Sequence, residues 1–223
     1  MPMNKAQQRE WTNLWQGIAE LSSEFGERPI FIGGVAVWLH LAAKSLAEKL
    51  GEFSHDGDLL LSLGDFADLR DLYEVEPNRR LGKNQIRKHG IEFDVYVERN
   101  YDLVVPYADA MAESVVIQNV RVVSIEHLFV LKLEASIDRR GSEKGAKDER
   151  DLIRLCHLMN EGGFKTALIT PYLRDDSFDL LRKLEKSSQF LSLAQRNAHE
   201  AKPLRVAVGA VVTPLLKGYR VAM

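Results

Sequence analysis

Two aspartates one residue apart, Asp56 and Asp58, open an apolar run, Leu59-Leu60-Leu61, in the stretch that begins Ser54-His55-Asp56-Gly57-Asp58. In a strand, alternate side chains share a face, so Asp56, Asp58 and Leu60 point one way and Gly57, Leu59 and Leu61 the other. Like charges this close repel unless a cation lies between them, and oxygen-only ligands suit a hard ion. A third acid lies in Ile91-Glu92-Phe93-Asp94-Val95-Tyr96-Val97, where Glu92, Asp94 and Tyr96 share the polar face. If the two strands are neighbours in one sheet, Asp94 joins the pair. Three converging carboxylates are the protein's half of a two-ion phosphoryl-transfer centre, in which the ions bridge triphosphate oxygens and activate an attacking hydroxyl. Gly33-Gly34 supplies the other half, between the short apolar run Ile30-Phe31-Ile32 and a helical pattern. Glycine lets backbone N–H groups approach a phosphate closely, and the helix dipole favours its negative charge.

The elements that must position these residues follow from periodicity. Residues 4–25 carry Trp11, Leu14, Trp15, Ile18 and Leu21 at helical spacing, and Gly26 ends that helix. A helix is predicted over 35–50, stopped by Gly51. The acid strand is predicted over 56–63, followed by Gly64 and a short helix over 65–72 with Asp65 and Asp68 near its positive end. His89-Gly90 reads as the turn of a hairpin joining 85–88 to 91–97, and Gln118-Asn119 as the turn joining 114–117 to 120–123. From Ile125 the pattern is helical: 125–137, a charged break over 138–145, then 148–159, with 164–173 and 178–193 less regular. The apolar run 206–212 suits a buried strand or a helix equally. The expected fold is α/β in the α+β sense: a mixed sheet with flanking helices over 1–123 and a mainly helical lobe over 124–223.

Composition narrows the function classes. At 223 residues the chain can build a core domain with an appended lobe; 45% hydrophobic and 28% charged residues give an ordinary globular balance. A formal net charge of −2 provides no overall field for nucleic acid, so such a partner needs a local basic patch. The one cysteine excludes an internal disulfide. No secretory apolar region and no run long enough to span a bilayer is present, so a cytoplasmic protein without a membrane partner is expected.

The order of strand, Gly33-Gly34 turn, helix, Asp56-Gly57-Asp58 strand and a later strand bearing Asp94 resembles the polymerase-beta-like nucleotidyltransferase superfamily. Its small bacterial branch of abortive-infection and toxin–antitoxin nucleotidyltransferases is the nearer likeness. That branch also shows a hydrophobic-Lys-Leu-x-Ala helix and then a basic-acidic segment, here Val130-Leu131-Lys132-Leu133-Glu134-Ala135 and Lys147-Asp148-Glu149-Arg150-Asp151-Leu152. The resemblance spans residues 28–160. It implies a cleft between core and helical lobe, and transfer of a nucleoside monophosphate from a nucleoside triphosphate to an acceptor hydroxyl, with release of pyrophosphate. The acceptor would be RNA such as tRNA, a protein or a small molecule, and a cognate antitoxin or toxin would be the protein partner. Magnesium would be held by Asp56, Asp58 and Asp94, with Asp94 the base; Gly33, Gly34 and Lys132 would hold the nucleotide.

Three positions depart from the family's pattern. Glu52-Phe53-Ser54 stands where a basic residue is usual, leaving His55 the nearest candidate. Gly57 replaces an apolar residue, which is expected to weaken strand packing. Val35 follows Gly34 where a hydroxyl residue could touch phosphate. These departures carry the alternative reading, an inactive nucleotidyltransferase fold serving as an antitoxin or scaffold.

Elsewhere simpler readings compete. Lys132 could be a surface lysine on a packed helix. Asp148 and Asp151 read as end-capping charges, with Lys147 pairing Asp151 across one turn. Cys156 falls on an apolar helix face. The basic residues within 138–147, and Arg79, Arg80, Lys83, Arg87 and Lys88, are the two patches available to a polyanion.

Overall fold

The computed structural model describes residues 4–26, 28–78, 83–99 and 103–221. Two compact units make up the chain, Met1–Ser124 and Ile125–Met223.

In the first unit, helix α1 (Lys5–Glu24) starts at a capping box. The Gln7 N–H donates to the Asn4 side chain at 2.9 Å and the Asn4 N–H to the Gln7 side chain at 3.0 Å. Gly26, at φ 56°, turns the chain out of it. The unit is built on a seven-stranded sheet of β1 (Ile30–Ile32), β2 (Gly57–Leu61), β3 (Glu76–Asn78), β4 (Lys83–Lys88), β5 (Ile91–Val97), β6 (Val115–Ile117) and β7 (Val120–Val122). Their order is β3-β4-β5-β2-β1-β7-β6. The β2–β5 and β1–β7 pairs are parallel and the others antiparallel, so the sheet is mixed. Both hairpins form at the expected turns: His89 and Gly90 lie at φ 51° and 78°, Gln118 and Asn119 at 52° and 65°. Two successive left-handed residues give the turn whose twist matches that of the flanking strands.

Two expected boundaries move. The helix predicted over 35–50 is two, α2 (Gly33–Ala42) and α3 (Ala47–Leu50), because Ser45 adopts φ 58° and the Leu46 N–H folds back onto the Leu41 carbonyl at 2.8 Å. That wrapped bond closes a helix end. The acid strand ends at Leu61, not 63, because Ser62 caps α4 (Leu63–Leu72), its hydroxyl accepting from the Asp65 N–H at 3.1 Å. A further helix, α5 (Tyr107–Ala112), precedes the second hairpin.

Phe93 explains two glycines. A Cβ on Gly57 would lie 2.5 Å from Phe93 Cδ1, and one on Gly17 of α1 would lie 2.8 Å from Phe93 Cζ. The ring therefore fills the space that both glycines leave open, and Gly57, expected to weaken packing, instead admits the buried Phe93 ring of the neighbouring strand. Trp11, Trp15, Trp38 and Phe53 form an aromatic cluster, with centroids 5.3 Å apart for Trp11–Trp38, 4.9 Å for Trp15–Trp38 and 5.5 Å for Trp11–Phe53. It fastens α1 and α2 to the loop that leads into Asp56. Lys88 of β4 is tied to α1 by Glu24 at 2.9 Å and Glu20 at 3.1 Å, and also donates to the Tyr73 hydroxyl. Bonds from His89, Gln16 and Lys88 hold the Glu20 carboxyl down at about 2.

The second unit contains α6 (Ile125–Asp138), α7 (Glu143–Gly162), two short 3-10 turns, α8 (Asp175–Leu184), α9 (Gln189–Leu193) and α10 (Ala198–Val221). The ambiguous run 206–212 is helical. Ala201, Leu204, Ala207, Val208, Val211, Val212 and Leu215 are buried at spacings of three and four, while Val206 is exposed. Pro203 and Pro214 lie inside this helix, each removing one ladder bond. Among the described residues no helix is long and apolar enough to cross a membrane.

Candidate active site

Asp58 and Asp94 are direct partners in the parallel β2–β5 ladder. Residues level with each other on adjacent strands share a face, so the two carboxylates project together, opposite to the face that Gly57 and Phe93 occupy. At roughly the strand spacing of about 4.8 Å, and an effective dielectric near 20, two such charges repel by about 3 kcal/mol. Asp58 is half-buried, and the Tyr96 hydroxyl, two residues beyond Asp94 on the same face, donates to its Oδ1 at 3.5 Å.

Gly33 makes room for Asp58. Ile32 pairs with Asp58 across β1–β2, and Gly33, the first residue of α2, sits at φ 65°. A Cβ there would lie 2.1 Å from Asp58 Oδ2. Ile32, the residue before this helix, offers no capping side chain, and the positive end of the helix dipole lies at Gly33 beside the Asp58 carboxylate. Gly33→Ala combines a left-handed backbone with that collision, and a loss of about 2–4 kcal/mol of stability is expected. A chemical denaturation curve matching the parent would show that Asp58 is not held against the glycine.

Asp94 is buried, 6% exposed, and both of its oxygens are engaged. Lys83 Nζ donates to Oδ2, and Gln85 Nε2 donates to Oδ1 at 2.8 Å. Gln85 is not among the sequence candidates, and Lys83 figures there only as part of a basic patch. Their signal was present in the hairpin register, since a two-residue turn at His89-Gly90 places Gln85 opposite Asp94, and Lys83 shares Gln85's face.

Asp56 does not stand on the strand. β2 begins at Gly57, and Asp56 occupies the preceding bend, where its Oδ1 accepts from the Ser54 hydroxyl at 3.3 Å. His55 points to α1, with Nδ1 2.8 Å from Glu10. Among the described residues no three histidine, cysteine, aspartate or glutamate side chains converge closely enough to hold one ion. The donors are nonetheless all carboxylate oxygens, suited to a hard cation, and a cation already stands on Asp94 in the form of the Lys83 ammonium. The acid face thus fits positive charge, with two carboxylates in register and a third at the bend.

Lys132 lies on α6 and is 7% exposed. Its ammonium is 3.0 Å from Asp148 and 2.7 Å from Asp151, both on α7. Burial opposes its charge, but Asp151 and Asp148 more than offset this and raise the ammonium above the ordinary lysine range. Arg154 also holds Asp151 at 2.7 Å, and Arg139 holds Asp148 at 3.3 Å. Asp148 and Asp151 are therefore buried partners of Lys132 rather than capping charges; the only acid in the first turn of α7 is Glu143. Cys156 is fully buried, and burial pushes its thiol up.

The described residues of the first basic patch are paired with acids. Lys83 meets Asp94, Arg87 meets Glu92 at 2.6 Å, and Lys88 meets Glu20 and Glu24. Arg79 and Arg80 lie outside the described residues. In the other patch Arg139 is held by Asp148, and Arg140 donates to the Asp176 carbonyl at 3.4 Å.

No protein-family model matches the chain, and no curated protein matches it in sequence. Among solved structures it is similar to JHP933 from Helicobacter pylori, with a TM-score of 0.53 and 14% identity over 99% of this chain and 98% of that one. It is also similar to a protein of H. pylori described as a candidate nucleotidyltransferase, with a TM-score of 0.50 and 13% identity over 99% of each chain. At these identities the likeness is one of fold: the chain has a nucleotidyltransferase-like fold, a mixed sheet with flanking helices followed by further helices.

Proposed function

We propose that the acid face of the sheet is a nucleotidyl-transfer site, moving a nucleoside monophosphate from a nucleoside triphosphate to an acceptor hydroxyl. The observation that carries this reading is the register of Asp58 with Asp94, at the point where Gly33 opens α2. The acceptor oxygen attacks the α-phosphorus, the bond to the β-phosphate breaks, and pyrophosphate leaves. The proton released by the hydroxyl passes to a carboxylate of the same face. Gly33 and Gly34, at the first turn of α2, cradle phosphate with backbone N–H groups. Asp58 and Asp56 would hold magnesium, with Asp94 the third ligand in the family's pattern; when bound, the ion supplies Lewis-acid neutralisation of the triphosphate. Lys132, the further nucleotide contact that the resemblance implies, has its ammonium held by Asp148 and Asp151. The motif resemblance extends the proposal to an RNA or protein acceptor and a role in a toxin–antitoxin pair.

One observation favours the alternative of an inactive, scaffolding fold: Asp94 already carries an internal cation. Incubation with each α-labelled triphosphate, magnesium and total RNA or cell lysate separates the two. Label in RNA or protein is expected. No product with any of the four triphosphates, together with no magnesium-dependent rise in melting temperature on adding them, would establish the inactive reading.

A further inference from the structure

We infer that Lys83 is a resident counter-cation of the acid face, taking the place of one divalent ion, so that the site binds a single ion on the Asp58 side. This rests on the nucleotidyl-transfer reading and departs from it in the number of ions and in the partner of Asp94. Both oxygens of Asp94 are already satisfied, one by the Lys83 ammonium and one by the Gln85 amide at 2.8 Å. Lys83 is not a solvated lysine resting on the nearest acid, because its side chain is 13% exposed and that of Asp94 8%. A desolvated ammonium needs a fixed partner, and Asp94 is that partner.

The arrangement is built in by the register. The antiparallel pairing sets Gln85 opposite Asp94 in β4–β5 and Asn78 opposite Lys83 in β3–β4. Asn78 donates to Gln85 Oε1 at 3.4 Å, which turns the Gln85 amide N–H group toward Asp94. The hydrogen bonds therefore run from Asn78 through Gln85 to Asp94, with Lys83 closing on the same carboxylate. Charge points the same way. With no nucleotide bound, Asp56, Asp58 and Asp94 against one lysine leave a net charge of −2, which one divalent ion neutralises.

The test counts ions. The full-length protein is titrated with Mn²⁺ in the presence of a non-hydrolysable triphosphate, and ions held by the protein are counted from the loss of the free Mn²⁺ electron paramagnetic resonance signal beyond that caused by the nucleotide alone. One ion per chain is expected for the parent and for Lys83→Arg, none for Asp58→Asn, and two for Lys83→Gln. Because Lys83→Gln leaves a buried carboxylate unpaired, its folding is checked by circular dichroism, and Asp94→Asn provides an arm that does not depend on it. Asp94→Asn should still bind one ion and not two, with an affinity lowered by the Lys83 charge that then lacks its partner. Two ions on the parent, or no ion on Asp94→Asn, overturns the role of Lys83 while leaving the transfer site standing. No Mn²⁺ bound to any of the proteins overturns both.

Discussion

Lys132→Ala should lower stability by about 3–5 kcal/mol, the usual cost of removing one member of a buried ion pair. For a chain of this size that corresponds to a fall in melting temperature of roughly 10 °C. Asp148 and Asp151 are each 2% exposed, and Lys132 lies within 3.0 Å of both. Arg154 and Arg139 would remain, but Arg139 is half-exposed and 3.3 Å away, so Asp148 would keep only a weak partner. Lys132→Met should be nearly as damaging, since it preserves most of the volume and none of the charge. The sign of the pH dependence follows from the raised ammonium. A lysine raised in the folded state contributes fully below its ordinary value of about 10.4 and loses that contribution as pH rises through the raised one. The deficit of Lys132→Ala should therefore be the same at pH 7 and pH 9 in thermal melts. An alanine variant that melts with the parent would mean that the ammonium is not what neutralises Asp148 and Asp151.

How much of this was legible in the sequence depends on the range of the interaction. Asn4 and Gln7, three residues apart, announce the start of α1, and His89-Gly90 and Gln118-Asn119 announce two hairpins, because caps and turns are decided within a few residues. Alternation along 91–97 put Asp94 and Tyr96 on one face before any neighbour was known. Competition between local signals was harder to read: Gly64 looked like the punctuation after the acid strand, but Ser62 two residues earlier makes the cap and shortens the strand. Asp56 lost its place on β2 for a similar reason, since the ladder with β5 begins at Gly57 opposite Phe93. Packing between distant segments was not legible at all. Nothing near Gly57 or Gly17 shows that one ring, Phe93, needs both to be glycine. Asp148 and Asp151 carry the helical spacing of surface charges, and only the packing of α6 on α7 brings Lys132 to them. The Lys83–Asp94 pair lies between these cases, computable from the hairpin register but hidden by the grouping of Lys83 with other basic residues.

Asp58→Asn should reduce transfer at least about a thousandfold while leaving the fold almost untouched. Asparagine has the shape of aspartate and fits against Gly33, where the Asp58 carboxylate now lies. It lacks the charge that binds a cation, and charge neutralisation at a transferring phosphoryl group is worth several kcal/mol, each 1.4 kcal/mol being tenfold in rate. The stability change depends on two opposing effects. Removing one of two adjacent carboxylates relieves repulsion, and from the sequence alone the melting temperature is expected to hold or rise. Lys83 has already neutralised Asp94, however, so most of that relief is absent. Against the remainder stands the loss of a negative charge at the start of α2, worth about 0.3–1 kcal/mol. The two nearly cancel, and the melting temperature should stay within about 4 °C of the parent. Transfer of label by Asp58→Asn at more than a tenth of the parent rate would remove Asp58 from the chemistry. A much larger loss of stability with activity retained would make it a residue that holds β2 to α2 instead.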